Sequence, residues 1–150
     1  MITIRTAVID DLPQLANLFN LYRIFYRKEP DINGAKNFLQ QRILNNESVV
    51  YVADKGGKLI GFTQLYPLFS STRMKRTWLL NDLYILSEYR SKGIARQLID
   101  TAKQLARDTN AAGLLLETEK TNQSGNQLYP SAGFTLYNEN NFYWWENKDI

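Results

Sequence analysis

The chain has 150 residues, 44% of them hydrophobic and 22% charged, with a formal net charge of +3 at pH 7. That is apolar content for one core and too little length for two domains, and no run approaches the roughly 20 apolar residues of a membrane span. With no cysteine and no histidine, disulfides, thiolate nucleophiles, a Ser-His-Asp triad and Cys or His metal sites are excluded, so proton transfer falls to Tyr, Asp, Glu, Lys, water or backbone.

In chain order, Met1-Ile-Thr-Ile-Arg5 lacks an apolar signal region, which makes the cytoplasm the expected location, and Ile2 to Ala7 alternates as a first strand. Asp10 or Asp11 caps a helix with Pro13 in its first turn and Leu12, Leu15, Phe19 and Tyr22 on one face. A second helix over 33–45 buries Ala35, Phe38, Leu39 and Ile43. Residues 48–53 and 59–67 read as strands joined by the turn Asp54-Lys-Gly-Gly-Lys58, and 69–74 as a loop. After the strand and helix within Leu79–Ala106 comes a buried strand over 113–118. A short helix follows over 122–132, expected to stop or kink just after Tyr129 because Pro130 lacks an N–H and clashes with the preceding turn. Residues 134–137 and 141–146 are expected to close the sheet as a last hairpin. This order predicts a single α/β domain with one mixed sheet and helices on both faces.

The segment Leu79–Ala106 carries the clearest chemistry. A strand ending in Leu83-Tyr84-Ile85 runs through Glu88-Tyr89-Arg90-Ser91-Lys92-Gly93-Ile94-Ala95-Arg96 into an amphipathic helix. The first N–H groups of a helix have no intrahelical acceptor and sit at the positive end of its dipole, a glycine admits close approach, and Arg90 and Lys92 add charge: this is an anion site. Neither G-x-G-x-x-G nor G-x-x-x-x-G-K-[ST] is present, so the loop is neither a dinucleotide fingerprint nor a P-loop. Further cations (Arg73, Lys75, Arg76, Lys103, Arg107) flank it and read either as solvated surface or as attraction for a polyanionic small molecule. Nucleic acid ranks below both, for want of interleaved aromatics or a helix-turn-helix pattern.

With the second block Asn122-Gln-Ser-Gly125-Asn-Gln-Leu128-Tyr129 and Gly133-Phe134, the stretch from Leu79 to Phe134 resembles the GNAT N-acetyltransferases. Within that family it is most similar to the polyamine (diamine) acetyltransferases, and the N-terminal half to the yeast histone and polyamine subgroup. The resemblance implies a mostly antiparallel sheet splayed between its fourth and fifth strands, and direct acetyl transfer from acetyl-CoA to an amine with no metal. By it, the backbone of Leu83, Tyr84 and Ile85 bonds the pantetheine, and the N–H groups of Ser91, Lys92, Gly93, Ile94, Ala95 and Arg96 hold the pyrophosphate beside Arg90. Asn122 reaches the cofactor arm, and Tyr129 protonates the thiolate, a task that suits a phenol of ordinary pKa about 10.

The position of Asn81 carries a proposed carboxylate base in those enzymes. Asparagine cannot take a proton, so the expected base is Asp82, with Asn81 orienting water and Glu117, Glu119 or water alone as alternatives. Strand alternation puts Asp82 on the opposite face from Asn81 unless a bulge intervenes. Tyr22, Tyr26 and Glu29 are the expected acceptor contacts, with Asp31 and the 69–73 loop nearby. A polyamine, a protein lysine or another small amine remain open as acceptors. The rival readings are a catalytically inactive acetyl-CoA-binding module and a basic nucleic-acid-binding domain. No membrane partner is expected, and the aromatic final strand is able to pair across a homodimer.

Overall fold

Alternating apolar residues in the first half of the chain pair in sequence order to make a sheet. The computed structural model describes residues 1–150, which divide into two compact units, Met1–Glu117 and Thr118–Ile150. The first contains β1 (Thr3–Thr6), α1 (Leu12–Phe25), α2 (Ile32–Leu44), β2 (Val49–Lys55), β3 (Lys58–Ser70), β4 (Lys75–Ile85), α3 (Ile94–Asp108) and β5 (Leu114–Leu115). The sheet has five strands in the order β1-β2-β3-β4-β5, antiparallel as far as β4 and parallel between β4 and β5. No helix is long and apolar enough to cross a membrane.

The period-2 alternation sorts the strands' side chains to two helical layers. Val50, Val52 and Phe62 pack with Leu15, Leu18 and Phe19 of α1 and Leu39 of α2. Ala53, Ile60 and Ile85 pack instead with Ile94 and Leu98 of α3. Phe38, expected in the core, is 39% exposed. It stacks flat on Phe19 at 5.7 Å under the Arg42 guanidinium at 4.6 Å, so its ring is covered by a stacked ring and a cation rather than by the sheet.

Asp11 occupies the start of α1, yet its carboxylate makes no helix cap. It forms a two-pronged pair with Arg5 of β1, both contacts 2.8 Å, and accepts the Val8 N–H at 2.8 Å. Arg5 also reaches Asp54, near the end of β2, at 3.0 Å. The Arg5 contact holds the Asp11 carboxyl below its ordinary range. The stability this lends is present in full above the unfolded value near 3.9 and is lost as pH falls through the lower folded value. Asp11→Ala should therefore cost about 2 kcal/mol at pH 7, the worth of a charge-assisted hydrogen-bond pair, and flatten the acid limb of a thermal-melt pH series.

Two strands differ in length from expectation. The 69–74 loop is instead the end of a longer β3–β4 hairpin with a turn after Ser70. Phe69 and Arg76 are cross-strand partners whose ring and guanidinium lie 5.0 Å apart, which extends the pairing to the tip. In contrast, β5 is short: it pairs with β4 only at Trp78/Leu114 and Leu79/Leu115, while β4 continues to Ile85. Beyond Leu79 the two strands part, and this opens one edge of β4.

In the second unit, α4 (Gln123–Ser131) is followed by chain with no regular strand. The expected hairpin over 134–137 and 141–146 is not formed. Tyr143, Trp144 and Trp145 are 90%, 84% and 79% exposed. A strand needs a ladder partner as well as a suitable pattern, and these residues have the pattern without the partner. Pro130 does not break α4 directly after Tyr129. The helix runs on to Ser131, because a proline so near the C-terminus removes one bond of the last turn only.

Candidate active site

The turn between β4 and α3 has the backbone of an anion site. Ser91 and Gly93 both have positive φ, 60° and 80°, and left-handed residues alternating with others make successive N–H groups converge into a concave nest. Gly93 is the N-cap of α3 in the left-handed conformation, with nothing within 4 Å of where its Cβ would stand. The helix ladder begins at the Gln97 N–H to Gly93 carbonyl bond, so the N–H groups of Ile94, Ala95 and Arg96 have no acceptor within the helix. Cations surround the turn. The ammonium groups of Lys55, Lys58 and Lys92 lie 4.8, 5.5 and 5.5 Å from the Tyr89 ring centre. The Arg90 guanidinium stands 5.2 Å from that of Tyr84.

The strand leading into the turn presents a free edge. The Leu86 N–H donates to Ile60, so by antiparallel alternation Tyr84 also bonds toward β3, while the polar groups of Leu83 and Ile85 face away from it. The Ile85 carbonyl accepts from Arg90 Nε at 2.9 Å. The groups of Leu83 face the edge that β5 has left. An extended amide-bearing chain there could add to the sheet as a further strand.

Higher on the same strand, Gln64 pairs with Asp82 and Leu65 with Leu80. Asn81 is thus an extra residue, a bulge, and the bulge turns both Asn81 and Asp82 to one cavity of about 320 Å³. Tyr22 of α1 and Tyr26, which caps that helix's C-terminus, line the same cavity with Phe19, Phe38 and Tyr66. The carbonyl that the bulge leaves unpaired is met by the Tyr22 hydroxyl, which donates to Asn81 O at 3.0 Å.

Asp82 is 2% exposed. Its Oδ2 accepts from Gln64 Nε2 at 2.6 Å and its Oδ1 from Asn81 Nδ2 at 3.0 Å, while Ser48 Oγ donates to Gln64 Oε1 at 2.8 Å and fixes that amide's orientation. Burial pushes the Asp82 carboxyl above the ordinary carboxylate range, against hydrogen bonds from Gln64, Asn81 and Tyr22 that favour the charged form. Burial, with the Asp82 charge adding to it, likewise raises the Tyr66 phenol. A carboxylate held in this way is a stronger base than one in water, which suits accepting a proton.

The structure gathers Tyr22, Tyr26, Asn81 and Asp82 around one cavity. Glu29 is exposed and outside the lining, and only its carbonyl takes part locally, accepting from Arg23. Gln64, Tyr66, Arg23 and Lys28 are site residues the sequence reading missed. The helical spacing of Phe19, Tyr22, Arg23 and Tyr26 was the available signal for Arg23, whereas nothing local marks Gln64.

In the second unit, Asn122 is the N-cap of α4. Its Oδ1 accepts the Gly125 N–H at 3.1 Å and its Nδ2 donates to Thr118 Oγ1 at 2.9 Å. Tyr129 lies in the last turn. Gly133, with φ 94°, reverses the chain so that the Phe134 N–H bonds the Tyr129 carbonyl and the Gly133 N–H that of Pro130, both at 3.0 Å. This is a Schellman ending with its usual apolar contact, the Phe134 ring 5.9 Å from that of Tyr129. A cap at one end and a glycine-dependent stop at the other thus define the backbone that carries the phenol.

The model of the acetyltransferase (GNAT) family matches residues 14–134. A Bacillus subtilis (strain 168) protein, the uncharacterized N-acetyltransferase YhfO, is 45% identical over 131 residues, 87% of this chain and 88% of its own. A probable acetyltransferase of Haemophilus influenzae is 32% identical over 123 residues, 81% and 82% of the two chains. The crystal structure of a probable acetyltransferase aligns over 99% of both chains with a TM-score of 0.92 and 38% identity. A predicted acetyltransferase of Clostridium acetobutylicum solved with acetyl-CoA shares the fold, with a TM-score of 0.78 at 21% identity over 98% of this chain and 96% of that one.

Proposed function

Since the chain belongs to the acetyltransferase (GNAT) family and is an acetyl-CoA-dependent acyltransferase, we propose that it moves acetyl directly from the thioester to a primary amine seated in the α1–α2–β4 cavity. The observation that carries this reading is β4 itself. At one end its bulge places a buried carboxylate in a cavity of ligand size, and a few residues on it enters an anion-binding turn. In this reading the turn from Ser91 to Arg96 takes the diphosphate, and the open edge at Leu83 takes the pantetheine amides.

The amine nitrogen attacks the thioester carbonyl carbon, the new C–N bond forms and the C–S bond breaks. The proton lost by nitrogen passes to Asp82, with Asn81 orienting a water where the two do not touch directly, and the departing thiolate takes its proton from Tyr129. Asn122 acts on Tyr129 through the start of α4. Amine and acetyl-CoA become acetamide and CoA, and the two side chains recover their protonation states from solvent. The acceptor is a primary amine, of a polyamine, a protein lysine or another small molecule.

Thiol release on adding amines to enzyme and acetyl-CoA tests the proposal cleanly, because the protein has no cysteine of its own. Release matched mole for mole by acetylated amine is expected. Tight acetyl-CoA binding with no release from any primary amine would leave a binding module in its place.

A homodimer fits the same reading. Phe142, Tyr143, Trp144 and Trp145 are 72–90% exposed, and at about 150–250 Å² per aromatic side chain they offer roughly the 800 Å² that each partner buries in a stable complex. Sedimentation equilibrium should give twice the chain mass, and the double variant Trp144→Ser, Trp145→Ser should give the chain mass alone. A wild-type monomer, or a variant that stays dimeric, rules out pairing through this segment.

A further inference from the structure

The charges around the acceptor cavity are sorted by depth. Asp82 stands at the buried end, while Arg23, from the last turn of α1, is half-buried and Lys28, from the segment after it, is exposed. Neither cation is spent on a carboxylate. Arg23 Nη1 donates to the Glu29 main-chain carbonyl at 2.9 Å, and no ion pair engages Arg23 or Lys28. Arg42, the next cation along, differs, since Glu47 already balances it at 3.3 Å. Between the two charged ends the walls are the aromatic rings of Phe19, Tyr22, Tyr26 and Tyr66. At about 320 Å³ the space lies at the small end of the ligand range of about 300–1,000 Å³.

We infer that the acceptor is a small amine that also carries a carboxylate, its amino end toward Asp82 and its carboxylate toward Arg23 and Lys28. An arginine with an open fork recognises a carboxylate in two-point geometry, and a lysine at the mouth adds an unpaired charge. A second ammonium on the acceptor would meet both cations, so the same arrangement that selects an amino acid-like molecule disfavours a diamine. This deepens the proposed function and rests on it: the cavity that seats the amine in that reading also sets its charge type here.

The test uses pairs matched in length, in which a carboxylate replaces one terminal aminomethyl group: β-alanine against 1,3-diaminopropane, 4-aminobutyrate against putrescine, 6-aminohexanoate against 1,6-diaminohexane; L-phenylalanine against phenethylamine, where the carboxylate replaces a hydrogen, serves for the aromatic walls. In at least one pair the carboxylate member should have kcat/KM about 10-fold or more above its partner. The double variant Arg23→Gln, Lys28→Gln should lower that ratio by about 10-fold or more, and Arg23→Lys, which keeps the charge but loses the two-point fork, should lower it by less. Diamines that match or exceed the amino acids throughout, or a ratio unmoved in the double variant, overturn the inference while acetyl transfer stands. If no amine of either series releases CoA, the transfer reading falls by itself. The ratio is then read from calorimetric binding of the same pairs with CoA present, where equal or reversed affinities overturn the inference and a carboxylate preference lost in the double variant supports it.

Discussion

Tyr129→Phe should lower kcat by about 100- to 10,000-fold while leaving the affinity for acetyl-CoA nearly unchanged, the range expected when a positioned general acid is removed. The variant keeps the ring and so keeps the edge contact with Phe134, the Schellman bonds of Phe134 and Gly133, and the Asn122 cap at the other end of α4. Only the hydroxyl is lost. A thiolate must then leave unprotonated or draw its proton from water, and either raises the barrier in the transition state without touching ground-state binding. Steady-state kinetics with a saturating amine give the split. An unchanged kcat would remove Tyr129 from the chemistry, and a fall accompanied by a weakened KM for acetyl-CoA would reassign it to binding.

Asp82→Asn should cost about 100-fold or more in kcat/KM for the amine and none of the protein's stability. The two effects separate because of how the carboxylate is held. Its native pKa lies above the unfolded value near 3.9, so as pH rises through that interval the folded state loses stability to the buried charge. The amide has no charge to bury. The Gln64 side chain can turn over to present its oxygen, with Ser48 Oγ then accepting from the Gln64 amide, so the hydrogen bonds survive. A melting temperature at pH 7 equal to or above that of the wild type, with a smaller loss of stability on going from pH 3 to pH 7, is the expected result. The acid limb of the wild-type kcat/KM profile should fall above the ordinary carboxylate range and vanish in the variant. A fully active variant would pass the base role to a bound water.

These residues also mark what could be read from the chain alone. The turn into α3 was legible because its signals are local: Arg90, Ser91, Lys92 and Gly93 sit next to one another and open a helix whose apolar period is plain. α4 was legible for the same reason, through Asn122 and Gly133. The setting of Asn81 and Asp82 was only half legible. Whether Asn81 and Asp82 share a cavity depends on the register between β3 and β4, a relation between segments that neither states by itself, and the bulge decides it. Gln64, which fixes Asp82, was hidden likewise, since a buried polar residue in a strand declares its partner only across the sheet. The last hairpin was expected over 141–146 with Tyr143, Trp144 and Trp145 in its final strand, but aromatic residues suit a strand without saying what lies alongside.

The account stands on a diphosphate held by the start of α3, and calorimetric titration of the protein with CoA at moderate ionic strength measures this directly. Saturable binding at one site per chain is predicted, weakened about 100-fold or more by Gly93→Glu. At φ 80° with open space around the absent Cβ, that substitution costs the fold only about 1–2 kcal/mol of left-handed strain, while it sets a carboxylate where the phosphates would lie. No heat with the wild type, or equal affinity in wild type and variant, would contradict the account.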